Sequence, residues 1–187
     1  DGDLARRHDG LFYLPAPHDE ESRRRGDLRN FYYNLDFFEH SSQKYVLLAG
    51  GSFVYNINFN ELLRFHQNTN ADITMVYYTA SHEAAGRSTV IETAENGLVE
   101  DIAEKPAIYD GSKVSMNVFL MEKRIFVEMI RYSYEHGGQD LLLDGIIRRS
   151  DEYSIYAYEH DGYVAHVDST ASYYKANMDI LNPSVWE

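Results

Sequence analysis

Two groups of side chains could do chemistry on residue type and spacing alone. Asp140 and Asp144 stand four residues apart, close enough to share one helix face, and paired carboxylates so placed can serve as acid and base. The plainer role is electrostatic, because negative charge at the start of a helix is favoured by the backbone dipole. Arg23, Arg24 and Arg25, with Arg29 shortly after, form a basic cluster in an acidic chain. Planar guanidinium groups suit phosphate, so the cluster could hold a phosphorylated effector. The plainer reading is a solvated loop that balances Asp19, Glu20 and Glu21. The 8 His include no closely spaced pair of the HExxH kind, and with no Cys there is neither a disulfide framework nor thiolate chemistry.

The bulk composition narrows the field further. A net charge of −13 disfavours nucleic acid and anionic membrane surfaces as partners, since both need a basic face. No apolar run approaches the roughly 20 residues that span a bilayer, and no secretory signal is visible, so a cytoplasmic location is expected. The 187 residues, 44% hydrophobic and 14% aromatic, suffice for one domain with a real core.

The elements that must carry these residues read as alternating strands and helices. Leu11–Leu14 predicts a short strand stopped by Pro15 and Pro17. Asp27–Phe38 has helical spacing, with Leu28, Phe31, Tyr32 and Leu35 on one face. Tyr45–Gly51 is an apolar run ending in glycines, the pattern of a buried parallel strand. Asn58 is placed to cap a helix from Phe59 to about Gln67, followed by a strand over Ala71–Tyr78. Val90–Thr93 and Val99–Ile102 flank Asn96-Gly97, a hairpin signal. Strands are predicted at Ser115–Met121, Ser154–Tyr158 and Ala165–Val167. Helices are predicted at Lys123–Tyr134, Leu141–Arg149 and Thr170–Met178. With no repeat and no linker, the reading is a single α/β domain over 1–187, a mostly parallel mixed sheet flanked by helices.

An ordered set of landmarks across this pattern carries a family resemblance. Arg25-Gly26, Asn34-Leu35, Tyr55-Asn56-Ile57-Asn58-Phe59, Ala71-Asp72-Ile73-Thr74, Glu104-Lys105-Pro106, Ser115-Met116-Asn117-Val118-Phe119, Tyr173-Tyr174 and Ala176-Asn177-Met178 fall in one order along the chain. Together they resemble bacterial ADP-glucose pyrophosphorylase, a glucose-1-phosphate adenylyltransferase, and most of all its D-type (GlgD) regulatory subunit. The resemblance implies the Rossmann-like fold of nucleotide-diphospho-sugar transferases. It also implies a hetero-oligomer with a catalytic subunit in glycogen synthesis. The family's Gly-rich nucleotide loop and its C-terminal left-handed β-helix are not among these residues.

The family's reaction joins a sugar phosphate to the α-phosphorus of ATP, and Mg²⁺ held by two Asp residues offsets the charge that builds up. Counting from the landmarks, those positions fall at Ser52 (or its neighbour Gly51) and at His166. Neither holds a carboxylate, so this chain is expected to bind no metal there. Losing the metal's contribution of several kcal/mol slows such a reaction on the order of a thousandfold. Asp168, two residues beyond His166, is the one neighbour that could supply a displaced carboxylate; the plainer role for Asp168 or Ser169 is a helix cap. Thr89 stands where the family has a Gly close to the sugar, and its branched side chain would crowd that space. The resemblance makes Glu104, Lys105 and Ser115 a sugar-phosphate side, with Glu104 accepting from hydroxyls, Lys105 pairing with phosphate and Ser115 donating. The function expected is a weakly catalytic or non-catalytic regulatory subunit. An active transferase using Asp168 and a sugar-phosphate sensor are the alternatives.

Overall fold

The structure is a computed structural model that describes residues 12–14, 26–81 and 84–185, without the side chains of residues 84–87, 105 and 106. The chain divides into two compact units, Asp1–Gln43 with Phe126–Arg148 and Lys44–Ile125 with Arg149–Glu187. Of the short strand predicted at the start, Phe12 to Tyr13 and Leu14 are in no regular structure, and Leu11 lies outside the described residues.

The first unit is helical. In place of one helix over Asp27–Phe38 there are two, α1 (Leu28–Tyr33) and α2 (Leu35–His40). The break is at Asn34 (φ −109°, ψ 16°), whose side chain turns back to donate to the Asn30 carbonyl at 2.7 Å. A short amide that bonds its own backbone competes with the helical ladder. Leu28 and Leu35 are buried as the spacing predicts. The aromatic positions pack edge to face: Phe31 and Phe38 meet Phe126 at centroid distances of 5.6 and 5.0 Å, while Tyr32 stacks on Tyr134 at 3.9 Å. Phe126 and Tyr134 belong to α4 (Lys123–Glu135), which follows directly on the last long strand of the other unit. The helix expected at Leu141–Arg149 is a π-helical turn over Leu141–Ile146, followed by a 3₁₀ segment over Ile147–Glu152. Gly145 lies at its centre, and a Cβ there would stand 3.0 Å from Met129 Cγ. Glycine is a weak helix former, and wide or tight turns replace α geometry where packing asks for it.

The second unit is built on a mixed sheet. Its strands are β1 (Tyr45–Ala49), β3 (Ile73–Thr79), β4 (Ala84–Thr93), β5 (Val99–Ile108), β6 (Lys113–Glu122) and β7 (Ile155–Glu159). The order is β5-β4-β6-β3-β7, with β1 also on β6. A separate two-stranded ladder joins β2 (Phe53–Tyr55) to β8 (Val164–His166). The sheet is mixed and flanked by helices, as expected, but with a different balance of directions. Only β3 and β7 pair in parallel, and the β1–β6, β3–β6, β4–β5 and β4–β6 pairs are antiparallel. β6 runs reversed between β1 and β3, so β1, β3 and β7 still point the same way and their carboxyl ends share one edge. The apolar run that made β1 look like a strand with parallel neighbours says nothing about partner direction.

Local chemistry explains the elements. Asn58 caps α3 (Phe59–Thr69), its Oδ1 accepting from the Asn60 N–H at 3.1 Å. Leu62 of α3 packs with Ile57, Val76, Met116, Val118 and Leu120 into one core cluster. The hairpin at Asn96-Gly97 forms, with Gly97 at φ +85°, and the strands on either side run longer than the sequence signal. The register of β3 on β6 shifts between Val76 and Tyr77, whose partners are Val118 and Ser115. The bulge leaves Asn117 at φ +54°, a conformation Asn tolerates better than most residues. Among the described residues no helix is long and apolar enough to cross a membrane.

Candidate functional site

A cleft of about 920 Å³ opens at the carboxyl ends of β3 and β7, where open α/β sheets place their ligands. From β3 and the residues just after it come Tyr78, Thr79, Ala80 and Ser81. From β7 and the loop after it come Glu159, His160, Asp161 and Gly162. β8 and α5 (Thr170–Ile180) add His166, Asp168, Ser172 and Lys175. The hairpin contributes Ser88 and Ile108.

The loop after β7 is held by Asn56. Its Oδ1 accepts the Tyr163 N–H at 3.0 Å, and its Nδ2 donates to the Val185 carbonyl at 3.0 Å. Gly162 permits this closeness, since a Cβ would stand 2.3 Å from Asn56 Oδ1. Glu159 accepts from Thr79 Oγ1 at 2.6 Å and from the Tyr77 hydroxyl at 3.3 Å, which fixes its direction.

His166 lies opposite Phe53 in the β2–β8 ladder, and the two rings stack at 4.6 Å with 22° between them. Ser52 is engaged through its backbone, its carbonyl accepting the Val167 N–H at 2.7 Å. It therefore lies across from Val167, one step out of register with His166, and successive residues of a ladder face opposite sides. Around a Cβ at Gly51 there is open space. Asp168 belongs to the cap of α5: its Oδ1 accepts from Ser172 Oγ at 3.1 Å, while Ser169 and Ser172 form a reciprocal capping box. The hydroxyls of Ser172 and Ser169, with His166 nearby, hold the Asp168 carboxyl below its ordinary range. Its Oδ2 is 4.0 Å from His166 Nδ1.

These donors do not fit the Mg²⁺ site that the resemblance implies. Mg²⁺ requires near-octahedral oxygen ligands, carboxylates first. What stands here is a stacked imidazole, a neutral hydroxyl and one carboxylate already engaged in a helix cap. Among the described residues no three His, Asp or Glu side chains gather closely enough to hold a metal ion.

The sugar-phosphate residues are placed as follows. Glu104 and Lys105 lie in β5, across from Thr89 and Ser88 of β4. Glu104 is exposed, and the side chain of Lys105 is outside the description. Ser115 is 2% exposed and its Oγ accepts the Asn117 N–H at 3.2 Å, so its hydroxyl is turned into the bulge. Thr89 is buried, and Ser88 rather than Thr89 is found among the cleft residues. Arg23, Arg24 and Arg25 lie outside the described residues. Arg29 is buried with its guanidinium 5.3 Å above the Tyr33 ring.

Asp140 and Asp144 take the helix-start role. Asp140 Oδ1 accepts the Leu143 N–H at 2.8 Å, and Asp144 Oδ2 accepts the Gln139 and Asp140 N–H groups at 2.7 and 3.0 Å. Burial works against ionising Asp144, yet these N–H groups and Arg148 hold its carboxyl below the ordinary value.

The cleft residues Glu159, His160, Asp161 and Lys175 went unremarked in the sequence. The available signal was positional: a polar Glu-His-Asp-Gly run directly after a predicted strand is where a sheet of this kind binds.

A mixed sheet, flanking helices and a cleft at the shared strand ends define an α/β fold of the class that places ligands at that edge. The chain belongs to the nucleotidyl transferase family, whose model matches residues 15–183. It is 29% identical over 187 residues to the glucose-1-phosphate adenylyltransferase of Mycoplasma mobile, covering 96% of this chain and 48% of that protein. It is 27% identical over 186 residues to the glycogen biosynthesis protein GlgD of Bacillus subtilis, covering 99% of this chain and 44% of that protein. The chain thus spans about half the length of these curated relatives. The crystal structure of HddC from Yersinia pseudotuberculosis shares the fold, with a TM-score of 0.60 at 13% identity over 83% of this chain and 62% of that one. The family resemblance read from the landmark order is borne out by these relatives.

Proposed function

We propose that this chain is part of a regulatory subunit of a glucose-1-phosphate adenylyltransferase, weakly catalytic or non-catalytic by itself, acting in glycogen synthesis in the cytoplasm. Its partner would be a catalytic subunit of the same family in a hetero-oligomer. The relatives named above support the metabolic setting. The observation that carries the regulatory reading is His166 stacked on Phe53 where the family resemblance calls for a metal-binding carboxylate.

The residues present suit binding better than adenylyl transfer. The attacking phosphate and the α-phosphate of ATP are both anionic, and among the described residues no three His, Asp or Glu side chains gather to hold a bridging cation. What the chain presents is a cleft at the carboxyl ends of β3 and β7. Mixing the protein with a catalytic homologue and measuring ADP-glucose formation at several ratios tests the proposal. A changed rate or effector response is expected, and no change at any ratio would refute it.

A second reading, an active transferase built on Asp168, draws on the presence of Asp168 in the cleft. Its commitment to the α5 cap weighs against it.

A further inference from the structure

We infer that Asn96 is a self-modification site, where the chain converts asparagine to aspartate and isoaspartate, and that the isoaspartate form releases the hairpin tip from β7. This lies beyond the regulatory reading and does not depend on it.

The chemistry is intramolecular, and asparagine is among the thermolabile residues. The backbone nitrogen of the next residue attacks the side-chain Cγ. The new N–Cγ bond closes a succinimide ring and the Cγ–Nδ2 bond breaks. Nδ2 leaves as ammonia, with the proton that the backbone nitrogen gives up. Water then opens the ring, with no change of oxidation state. Cleavage at Cγ gives aspartate. Cleavage at the main-chain carbonyl gives isoaspartate, whose backbone runs through the side chain and is longer by a methylene. The attack is fastest where the following residue has no side chain to crowd it. Asn96 precedes Gly97, and every other asparagine of the chain precedes a residue that has a side chain.

The hairpin leaves this pair accessible. Asn96 is exposed, and a Cβ at Gly97 would meet nothing nearer than the Ala157 carbonyl oxygen at 3.8 Å. Two bonds of the loop oppose the attack. Asn96 Oδ1 accepts the Leu98 N–H at 3.0 Å, and the Gly97 N–H donates to the Ala94 carbonyl at 3.0 Å. Both sit in a turn, where local opening costs least. They slow the reaction and do not prevent it.

The same tip is fastened to the sheet. The Gly97 carbonyl accepts the Ala157 N–H at 2.9 Å, and Leu98 bridges Tyr156. Both partners belong to β7, which pairs with β3 and ends at Glu159 in the cleft. Gly97 makes this bond at φ +85°, the conformation that closes a three-residue hairpin loop. An aspartate at 96 keeps an oxygen for the Leu98 N–H and leaves the backbone length unchanged. An isoaspartate lengthens the backbone just before Gly97, so the loop no longer presents the Gly97 carbonyl to Ala157.

Ageing the whole chain in warm, mildly alkaline buffer, native and in urea, tests this by peptide mass spectrometry with isoaspartyl methyltransferase labelling. Conversion is expected at Asn96 before any other asparagine in both samples. It is expected to run about tenfold slower in the native protein, the effect of two exposed hydrogen bonds. Asn96→Gln, whose longer side chain closes a ring far more slowly, is expected to gain neither acid nor label at this peptide. Hydrogen exchange by NMR reads the tip: the Ala157 N–H is expected to lose protection about tenfold in the isoaspartate form and to keep it in the aspartate form. Conversion at another asparagine ahead of Asn96 would overturn the site. So would none at Asn96 in the native protein over the time in which the unfolded chain converts completely. An Ala157 amide equally protected in both products, or equally exposed in both, would overturn the release of the tip.

Discussion

Phe53 and His166 stand directly opposite one another in the β2–β8 ladder, and their rings lie nearly parallel at a centroid distance of 4.6 Å. An imidazole so placed serves as an aromatic partner. A carboxylate at the same position would set a charge against the negative face of the Phe53 ring. The imidazole at position 166 and the presence of Phe at 53 are therefore consistent with each other. The same ladder separates Ser52 from His166 by one register step, because the Ser52 carbonyl takes the Val167 N–H.

That geometry predicts how metal binding could be introduced. Gly51 has open space around a Cβ, so it is the better place for a new carboxylate than Ser52. The double variant Gly51→Asp with His166→Asp is expected to gain Mn²⁺ binding by electron paramagnetic resonance titration, with the unmodified protein showing none above background. Binding by the unmodified protein that equals the variant's would contradict the reading of these positions.

The wall of the cleft depends on a close approach that only Gly allows. A Cβ at position 162 would stand 2.3 Å from Asn56 Oδ1 and 2.8 Å from His160 Cε1. Gly162→Ala is expected to destabilise the protein by about 1–3 kcal/mol through overpacking. Asn56→Ala, which removes two hydrogen bonds to backbone, should cost a similar amount, about 1–3 kcal/mol. Urea denaturation measures both. An unchanged midpoint for either variant would mean that the loop is not held in the manner described.

A buried histidine away from the cleft sets a pH dependence. His66 is 2% exposed and its Nδ1 lies 2.8 Å from Thr74 Oγ1. Burial pushes its pKa below the ordinary value, with Glu122 and Asp72 pulling it up and Lys44 pushing it down. The folded protein thus keeps His66 neutral while the unfolded chain takes up a proton. The stability tied to this group is fully present above the unfolded pKa of about 6.5 and is lost as pH falls below it. Denaturation at about pH 7.5 and pH 5.5 should show lower stability at the acid end, and His66→Gln should reduce the difference. An equal pH dependence in the variant would assign the effect to other groups.

The degree to which this protein was legible in its sequence follows from what each signal measures. Spacing and caps act locally, so Asn58 before α3 and Asn96-Gly97 in the hairpin were readable. The number and direction of strand partners are set by distant pairings, so a run such as Tyr45–Ala49 gave a strand without revealing its antiparallel neighbour β6. β2, only Phe53–Tyr55, was too short to show a period, and without it the partner of His166 could not be inferred. Asn34 and Gly145 interrupted helices for reasons of side-chain bonding and packing that a face count does not see. Site positions counted from family landmarks included residue 166, which lines the cleft, and did not include Glu159, His160 and Asp161, which line it too and which no landmark contains.

The central claim is the proposal that this chain by itself is weakly catalytic or non-catalytic in adenylyl transfer. The direct measurement is pyrophosphate and ADP-glucose release by the protein alone with ATP, glucose 1-phosphate and Mg²⁺. The account predicts turnover on the order of a thousandfold below that of a catalytic homologue, or none. Sustained turnover that Asp168→Asn abolishes would contradict it and establish Asp168 as a displaced metal carboxylate.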